Sequence, residues 1–386
     1  MSKKVIVLGA DHYNAIGVVQ SLGQEGVYII LVLSSQSKKP LIARSKYVRE
    51  LYQIDNYEEG IELIASKLVQ DEPTVIIPCG DEAALLLEKN RQRLKEHFLF
   101  QHVIGDYSLA DLMNKNLQVQ LASECGLDAP VSYEVTNSQS LPADIPFPCI
   151  VKPLLSCEGD KSDITVAHSD EELLKILDSL LEHTPRVIVQ QFIQKKDREL
   201  NILGCSTTDG QCIVPMCIEK VRVHPKGTGS VSLGKVLPIS NEYIPIIEKI
   251  RSLLKKIGYV GLFSVEIMTC DDVKKNYFIE LNLRNDALNM FLVKVGINLV
   301  YLHFQDLSGE FLKEYHPTNK IKTIICEPIH MASLYHRGIS PIQWLKDLIF
   351  SDGFMLYDKN DKRIFYHHFL DKKVSIIRKV FRFPRE

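Results

Sequence analysis

Apolar residues in this chain come in short runs separated by polar, glycine-bearing turns, and the runs switch between strand and helix periods. Lys4–Leu8 is an apolar run that ends in Gly9, Ala10 and Asp11. Helical spacing follows to about Gly23, and a second apolar run covers Val27–Leu33, which together predict a β-α-β opening. The strand Thr74–Pro78, the loop Cys79–Glu82 and a helix from Ala83 to about Phe98 continue the alternation. From Ser108 a helical pattern runs to Gly126, followed by LDAPVSYEV. Arg186–Ile193 reads as a strand, Leu200–Cys205 and Gln211–Glu219 as a hairpin around TTDG, and Ile244–Ile257 as a helix stopped by Gly258. Between Gly261 and Arg284 two further strands, Leu262–Met268 and Tyr277–Leu283, flank the polar turn Thr269–Asn276.

That last hairpin carries the first chemistry. Each strand holds one carboxylate among apolar residues, Glu266 and Glu280, and alternation puts Glu280, Asn282 and Arg284 on one face. If the strands pair with their centres opposed, Glu266 falls beside Glu280. Two facing carboxylates repel unless a cation lies between them, and a hard divalent ion with oxygen ligands suits the place. Arg284 could bind phosphate or carboxylate oxygens there. The alternative is a hairpin whose acids point to solvent.

Composition narrows the class. At 386 residues the chain has room for two or three domains, and its formal net charge of −2 implies neither a nucleic acid nor a membrane surface as partner. No apolar run reaches about 18 residues, so no membrane span is expected. The strand-like MSKKVIVLGAD lacks the apolar core of a signal peptide. Nine cysteines form no C-x-x-C pair, which argues against structural zinc and a disulfide scaffold. A cytoplasmic protein with reduced thiols is expected. The opening β-α-β is of Rossmann type, but Gly9 and Gly17 do not make the G-x-G-x-x-G spacing, so a dinucleotide site is not expected.

The series Glu266, Glu280, Asn282, Arg284 resembles the metal-binding signature of the ATP-grasp superfamily, with Leu283 where E-x-N-P-R usually has proline. Other segments resemble the same superfamily in order, over about residues 3–310. R-S-K-Y at Arg44–Tyr47 and P-C-G-D-E at Pro78–Glu82 are similar to the domain that precedes its nucleotide site. Asp11, His12 and Asn14 sit in a loop of the kind that builds the acceptor pocket there, or are ordinary turn and cap residues. Asn114-Lys115 followed by G-L-D-A-P resembles the entry to the nucleotide fold, and P-F-P-C-I-V-K-P presents Lys152 at the end of an apolar strand. An ammonium buried there needs an anion.

The resemblance implies a Rossmann-like domain at 1–105, then an α/β ATP-grasp fold in two α+β subdomains, 106–190 and 191–310, with a C-terminal extension at 311–386. It implies Lys115 and Lys152 on the ATP phosphates, with Lys161 in a polar lid or else in solvent. Gln190 and the Ile193 backbone would meet adenine, and Glu199, or Asp197, the ribose. Glu266, Glu280 and Asn282 would hold Mg²⁺ (or Mn²⁺). The stretch Glu219–Val236, with Lys220, Arg222, His224 and Lys226 beside three glycines, resembles the substrate loop of the superfamily's carboxylate–amine ligases, or is simply mobile and basic. Arg222 and Arg284 would then stabilise the acyl phosphate and the tetrahedral adduct. The expected activity is ATP-dependent joining of a small carboxylate to an amine through an acyl phosphate. Its alternatives are a kinase-like enzyme and a nucleotide-binding regulator. The partners implied are small-molecule acid and amine substrates, with a homodimer allowed.

Overall fold

The computed structural model describes residues 3–138, 141–142, 144–155, 164–193, 197–227 and 229–369. The first five strands are β1 (Lys4–Ala10), β2 (Tyr28–Ser34), β3 (Val48–Ile54), β4 (Thr74–Pro78) and β5 (Phe98–Leu99). They form one parallel sheet in the order β3-β2-β1-β4-β5. Alternation along β1 explains why it is apolar at every position from Val5 to Leu8. Val5 and Val7 enter one core, against the helix Tyr13–Gln24, while Ile6 and Leu8 enter another, against the helices Tyr57–Lys67 and Asp81–Lys89. A strand covered on both faces has no polar side to show.

After the two-residue strand β6 (His102–Val103), a small antiparallel sheet follows from β7 (Ser132–Val135), β8 (Cys149–Pro153), β9 (Thr165–Ala167) and β10 (Val187–Gln191), ordered β7-β10-β8-β9. Leu173 and Leu177 of the helix Asp170–Leu181 pack on it. The third sheet contains β11 (Arg198–Ser206), β12 (Cys212–Ile213), β13 (Met216–His224), β14 (Ser230–Pro238), β15 (Tyr259–Cys270), β16 (Lys275–Asn282), β17 (Lys322–Ile325) and β18 (Gly353–Phe354). Its main order is β16-β15-β11-β13-β14-β17-β18, with β12 on β11 and β6 on β15.

Three expectations change in detail. The helical pattern after Ser108 breaks into Leu109–Leu112 and Lys115–Glu124, because the Asn114 side chain accepts from the Asn116 and Leu117 amides and starts a new helix. The stretch Glu219–Val236 is mostly strand: β13 runs on to His224 and β14 starts at Ser230, leaving a short tip. The described part of the segment from 311 on contributes to the third sheet. β17 pairs with β14, and Met355, Leu356 and Ile364 join the core shared with β1 and β2. The Tyr47 hydroxyl donates to Asp358 (2.8 Å), and the Ser45 hydroxyl to Asp361 (2.7 Å), which ties this segment to the first domain. No helix among the described residues is long and apolar enough to cross a membrane.

Candidate functional site

One face of the third sheet gathers the polar residues. Cross-strand pairs point the same way, and the register opposes Glu199 to Met268, Asn201 to Glu266, and Glu266 to Glu280. Asn201 also opposes Ile218, two residues before Lys220, and Ser264 opposes Asn282. Glu199, Asn201, Lys220, Ser264, Glu266, Glu280 and Asn282 therefore share a face, although they come from four strands. Glu266 meets Glu280 through a bulge. Near the turn Ile267 faces Phe278, and the extra residue Ile279 shifts the register before Glu266. Without it Glu266 would face Ile279, and Glu280 would turn into the core.

Two cavities meet at this row. The smaller, about 250 Å³, is lined by Lys115, Lys152 and Glu199 together with the apolar Ile150, Leu155, Ile164, Met268 and Ile279. The larger, about 500 Å³, opens toward His12, Tyr13 and Asn14 of the first domain and toward Cys326 and Ile329 of the C-terminal segment. Both are walled by Lys220, Glu266, Glu280, Asn282 and Arg284. Lys220 Nζ lies 2.7 Å from Glu266 and Lys115 Nζ 3.8 Å from Glu280, supplying the positive charge that facing carboxylates require. Two carboxylates and an amide oxygen are a hard, all-oxygen donor set that fits Mg²⁺. Among the described residues no cluster of three His, Cys, Asp or Glu side chains offers another such place.

On the nucleotide side of the wall, Lys152 is buried in β8 and its ammonium donates to Gln190 Oε1 at 3.1 Å. Burial pushes its pKa from 10.5 down to about 8; Glu280 and Glu266 pull it up and Lys115 adds to the lowering. Such an amine binds an anion more strongly than a hydrated one would. Lys115 also donates to the Pro153 carbonyl (3.1 Å), so both lysines are fixed to the same strand end. Gln190 lies next to Lys152. Its amide nitrogen donates to Ser132 Oγ (2.8 Å) and its oxygen receives Lys152, so both ends are committed and it lies outside the cavity lining. Ile193 is buried and likewise outside that lining. Lys161 lies outside the described residues.

The two arginines part company. Arg284 lines both cavities, with its guanidinium forked onto Asp81 (2.9 and 3.3 Å) and a further bond to Asn282 Oδ1 (3.2 Å). Its pKa is raised: burial opposes the charge, and Asp81 and Asp286 outweigh that. Arg222 does not share this space. A bulge after Lys220 sets Lys220 against Gly234 but Arg222 against the next residue, Leu233, which breaks the alternation that would put the two cations side by side. The Arg222 guanidinium pairs instead with Asp347 on the helix Pro341–Phe350.

Of the first-domain loop, Asp11 accepts from the Leu41 and Ile42 amides and so ties this loop to the connection after β2. Asn14 donates to the Cys79 and Asn285 carbonyls, while His12 and Tyr13 help line the larger cavity. Sequence reading gave Asn201 and Asp286 no role in the site, and placed Lys220 only in the substrate-like stretch and Asp81 only in a first-domain segment. Asp286 stands two residues after Arg284, a spacing that could have flagged it. Asn201 carries no local signal, because only strand pairing brings it beside Glu266.

Residues 131–224 match the family described as D-ala D-ala ligase C-terminus. The D-aspartate ligase of Enterococcus faecium is 27% identical over 267 residues, covering 64% of this chain. The chain spans only 62% of that relative's length. Among solved structures, the L-amino acid ligase from Bacillus licheniformis superposes with a TM-score of 0.64 at 16% identity, covering 84% of this chain and 79% of that one. The biotin carboxylase domain of the Hydrogenobacter thermophilus 2-oxoglutarate carboxylase, solved with MgADP and bicarbonate, gives 0.67 at 15% identity, covering 83% and 73%. At those identities the structural likeness is one of fold. Sequence relatives and architecture point the same way: over part of its length the chain is similar in sequence to D-aspartate and D-alanine–D-alanine ligases, and it shares its fold with an L-amino acid ligase.

Proposed function

We propose that this protein is an ATP-dependent carboxylate–amine ligase acting on small molecules. The observation that carries the reading is the shared wall: Glu266, Glu280, Asn282 and Arg284 separate a lysine-bearing cavity from one that opens onto the first domain. A phosphoryl group at the wall is reachable from both sides. ATP occupies the smaller cavity, with Lys152 and Lys115 on its phosphates and Glu199 on the ribose side. Adenine lies toward the strand end carrying Ile193, and Gln190 keeps the Lys152 ammonium aimed. The donor acid occupies the larger cavity.

The donor carboxylate oxygen attacks the γ-phosphorus, the bond to the β-phosphate oxygen breaks, and an acyl phosphate and ADP result. An amine nitrogen then attacks the carbonyl carbon, the carbon–oxygen bond to phosphate breaks, and the amide forms with loss of a proton. Catalysis of this kind is chiefly positioning and charge stabilisation. Glu266, Glu280 and Asn282 would hold Mg²⁺ (or Mn²⁺), whose contribution when bound is to neutralise phosphate charge. Arg284, held by Asp81, faces the oxygens of the acyl phosphate.

The test is ADP release over a panel of amino acids and small carboxylates, with and without amines, followed by mass spectrometry. An amide product supports the ligase. ADP with a released acyl phosphate marks a kinase-like enzyme, and nucleotide binding with no ADP from any pair marks a regulator.

A further inference from the structure

The helix Pro341–Phe350 is packed the wrong way round for a surface helix. Its inward face carries Asp347, paired with Arg222, and Trp344, whose ring stacks on His330 at 5.9 Å. Its outward face carries Ile342, Leu345, Ile349 and Phe350, which are 71, 53, 64 and 78% exposed. At about 100° per residue these four form one stripe, and Lys346 stands within it. An apolar stripe left in solvent marks a place where something docks. The second observation is charge. In the last described helix, 363–369, the Phe365 ring packs on Phe354 at 5.9 Å, just beyond the Phe350 end of the stripe. The sequence that follows, LDKKVSIIRKVFRFPRE, has six lysines and arginines between 372 and 385, interleaved with Val, Ile and Phe and with no acid among them. The near-zero total charge conceals this, because acids elsewhere balance it. The aspartates of 341–369 are already committed: Asp347 to Arg222, Asp352 to Lys322, Asp358 to the Tyr47 hydroxyl and Asp361 to the Ser45 hydroxyl. The anions that this basic stretch needs therefore come from outside its own end of the fold.

We propose that the stripe and the basic stretch together dock this protein on an anionic lipid bilayer. The apolar side chains enter the headgroup–acyl boundary and the cations meet lipid phosphates. A few apolar side chains or a few cations bind a membrane only weakly, and the two signals combined hold. A bilayer accepts Lys346 inside an apolar stripe, because its ammonium reaches the headgroups while its stem stays among apolar groups. A dry interface with a second copy would bury that charge and bring two like-charged stretches together. A nucleic acid would satisfy the cations but offers the stripe no apolar phase. The Arg222–Asp347 pair and the Trp344–His330 stack hold the helix from behind, so its apolar side is not needed for packing.

The experiment is co-sedimentation of the full chain with phosphatidylcholine vesicles, with and without about 30% phosphatidylglycerol. Partitioning is expected to be roughly 10-fold or more higher with the anionic lipid, and to fall as salt rises from about 0.1 M to about 1 M. Trp344 is the only tryptophan, so quenching of its fluorescence by lipids brominated on the acyl chain reports this helix alone. Leu345→Glu combined with Ile349→Glu should abolish the quenching and lower partitioning on the order of 10-fold. Both positions are exposed, so the melting temperature of that variant should match wild type. Glutamine at Lys372, Lys373, Arg378 and Lys379 should lower partitioning on the order of 10²-fold with every apolar side chain kept. Absence of partitioning onto anionic vesicles overturns the proposal, and so does partitioning that either variant leaves unchanged. A concentration-dependent dimer broken by Leu345→Glu, without vesicle binding, overturns it in favour of a second copy. Binding to random-sequence DNA in place of vesicles overturns it in favour of a nucleic acid.

Discussion

Replacing Lys152 by methionine removes a buried ammonium while nearly keeping its length. With a pKa of 10.5 outside the fold and about 8 inside it, holding this charge destabilises the ligand-free protein by ~3 kcal/mol at about pH 7. Between those two values the unfolded chain binds more protons than the folded one, so stability rises with pH through the window. The penalty falls to below ~1 kcal/mol at about pH 10 by the same relation. The methionine variant escapes the penalty but leaves Gln190 Oε1 without its donor, a pH-independent loss of about 1–3 kcal/mol. The variant-minus-wild-type difference should therefore be small near neutrality and drop by roughly 2–3 kcal/mol from about pH 7 to about pH 10. Urea unfolding of both proteins at the two pH values measures it. A nucleotide phosphate restores the ammonium, so wild-type ATP affinity should weaken over the same pH range, and in the variant it should be lower by on the order of 10²-fold with no such trend. A stability difference that stays flat with pH would refute the burial argument.

Glu280→Gln keeps the shape and removes one of the two facing charges, and turnover at limiting Mg²⁺ should fall on the order of 10²-fold; unimpaired ADP formation would take Glu280 out of the site. Arg222→Met should act on stability rather than chemistry, because it strips the buried Asp347 of its guanidinium and leaves it the Gln343 amide. A loss of about 1–3 kcal/mol in unfolding free energy with kcat changed only a few-fold is expected, and coupling to Asp347→Asn in a double-mutant cycle checks it. Gly258→Ala should destabilise by about 2 kcal/mol or more, since Gly258 has φ +64° and a Cβ there would sit 1.7 Å from the Ile104 carbonyl oxygen; a wild-type urea midpoint would contradict this.

Local pattern by itself determined a good deal of this protein. Period and punctuation were enough for the parallel opening, for the helix Ile244–Ile257 with its left-handed Gly258 cap, and for the presence of a hairpin bearing Glu266 and Glu280. These are properties of consecutive residues, set by alternation, helical spacing and glycine's access to positive φ. The family resemblance added an ordered series of motifs that no single segment could supply.

What remained for the tertiary structure turns on single-residue shifts and long-range pairing. One bulged residue, Ile279, decides that Glu280 faces Glu266 rather than the core. Another irregularity, after Lys220, sends Arg222 to Asp347 while Lys220 stays on Glu266. Neither bulge has a glycine or proline to announce it, so alternation counted along the chain puts the wrong side chain on the face. Asn201 and Asp286 are 85 residues apart and meet only when the strands of the third sheet pair, while Asp81 reaches Arg284 across 203 residues, a contact that exists only once the first domain docks on that sheet. The C-terminal segment reads as an appendage because β17 has its partner β14 far back in the chain. Sequence fixes which groups are available on each strand; register and docking fix which of them meet.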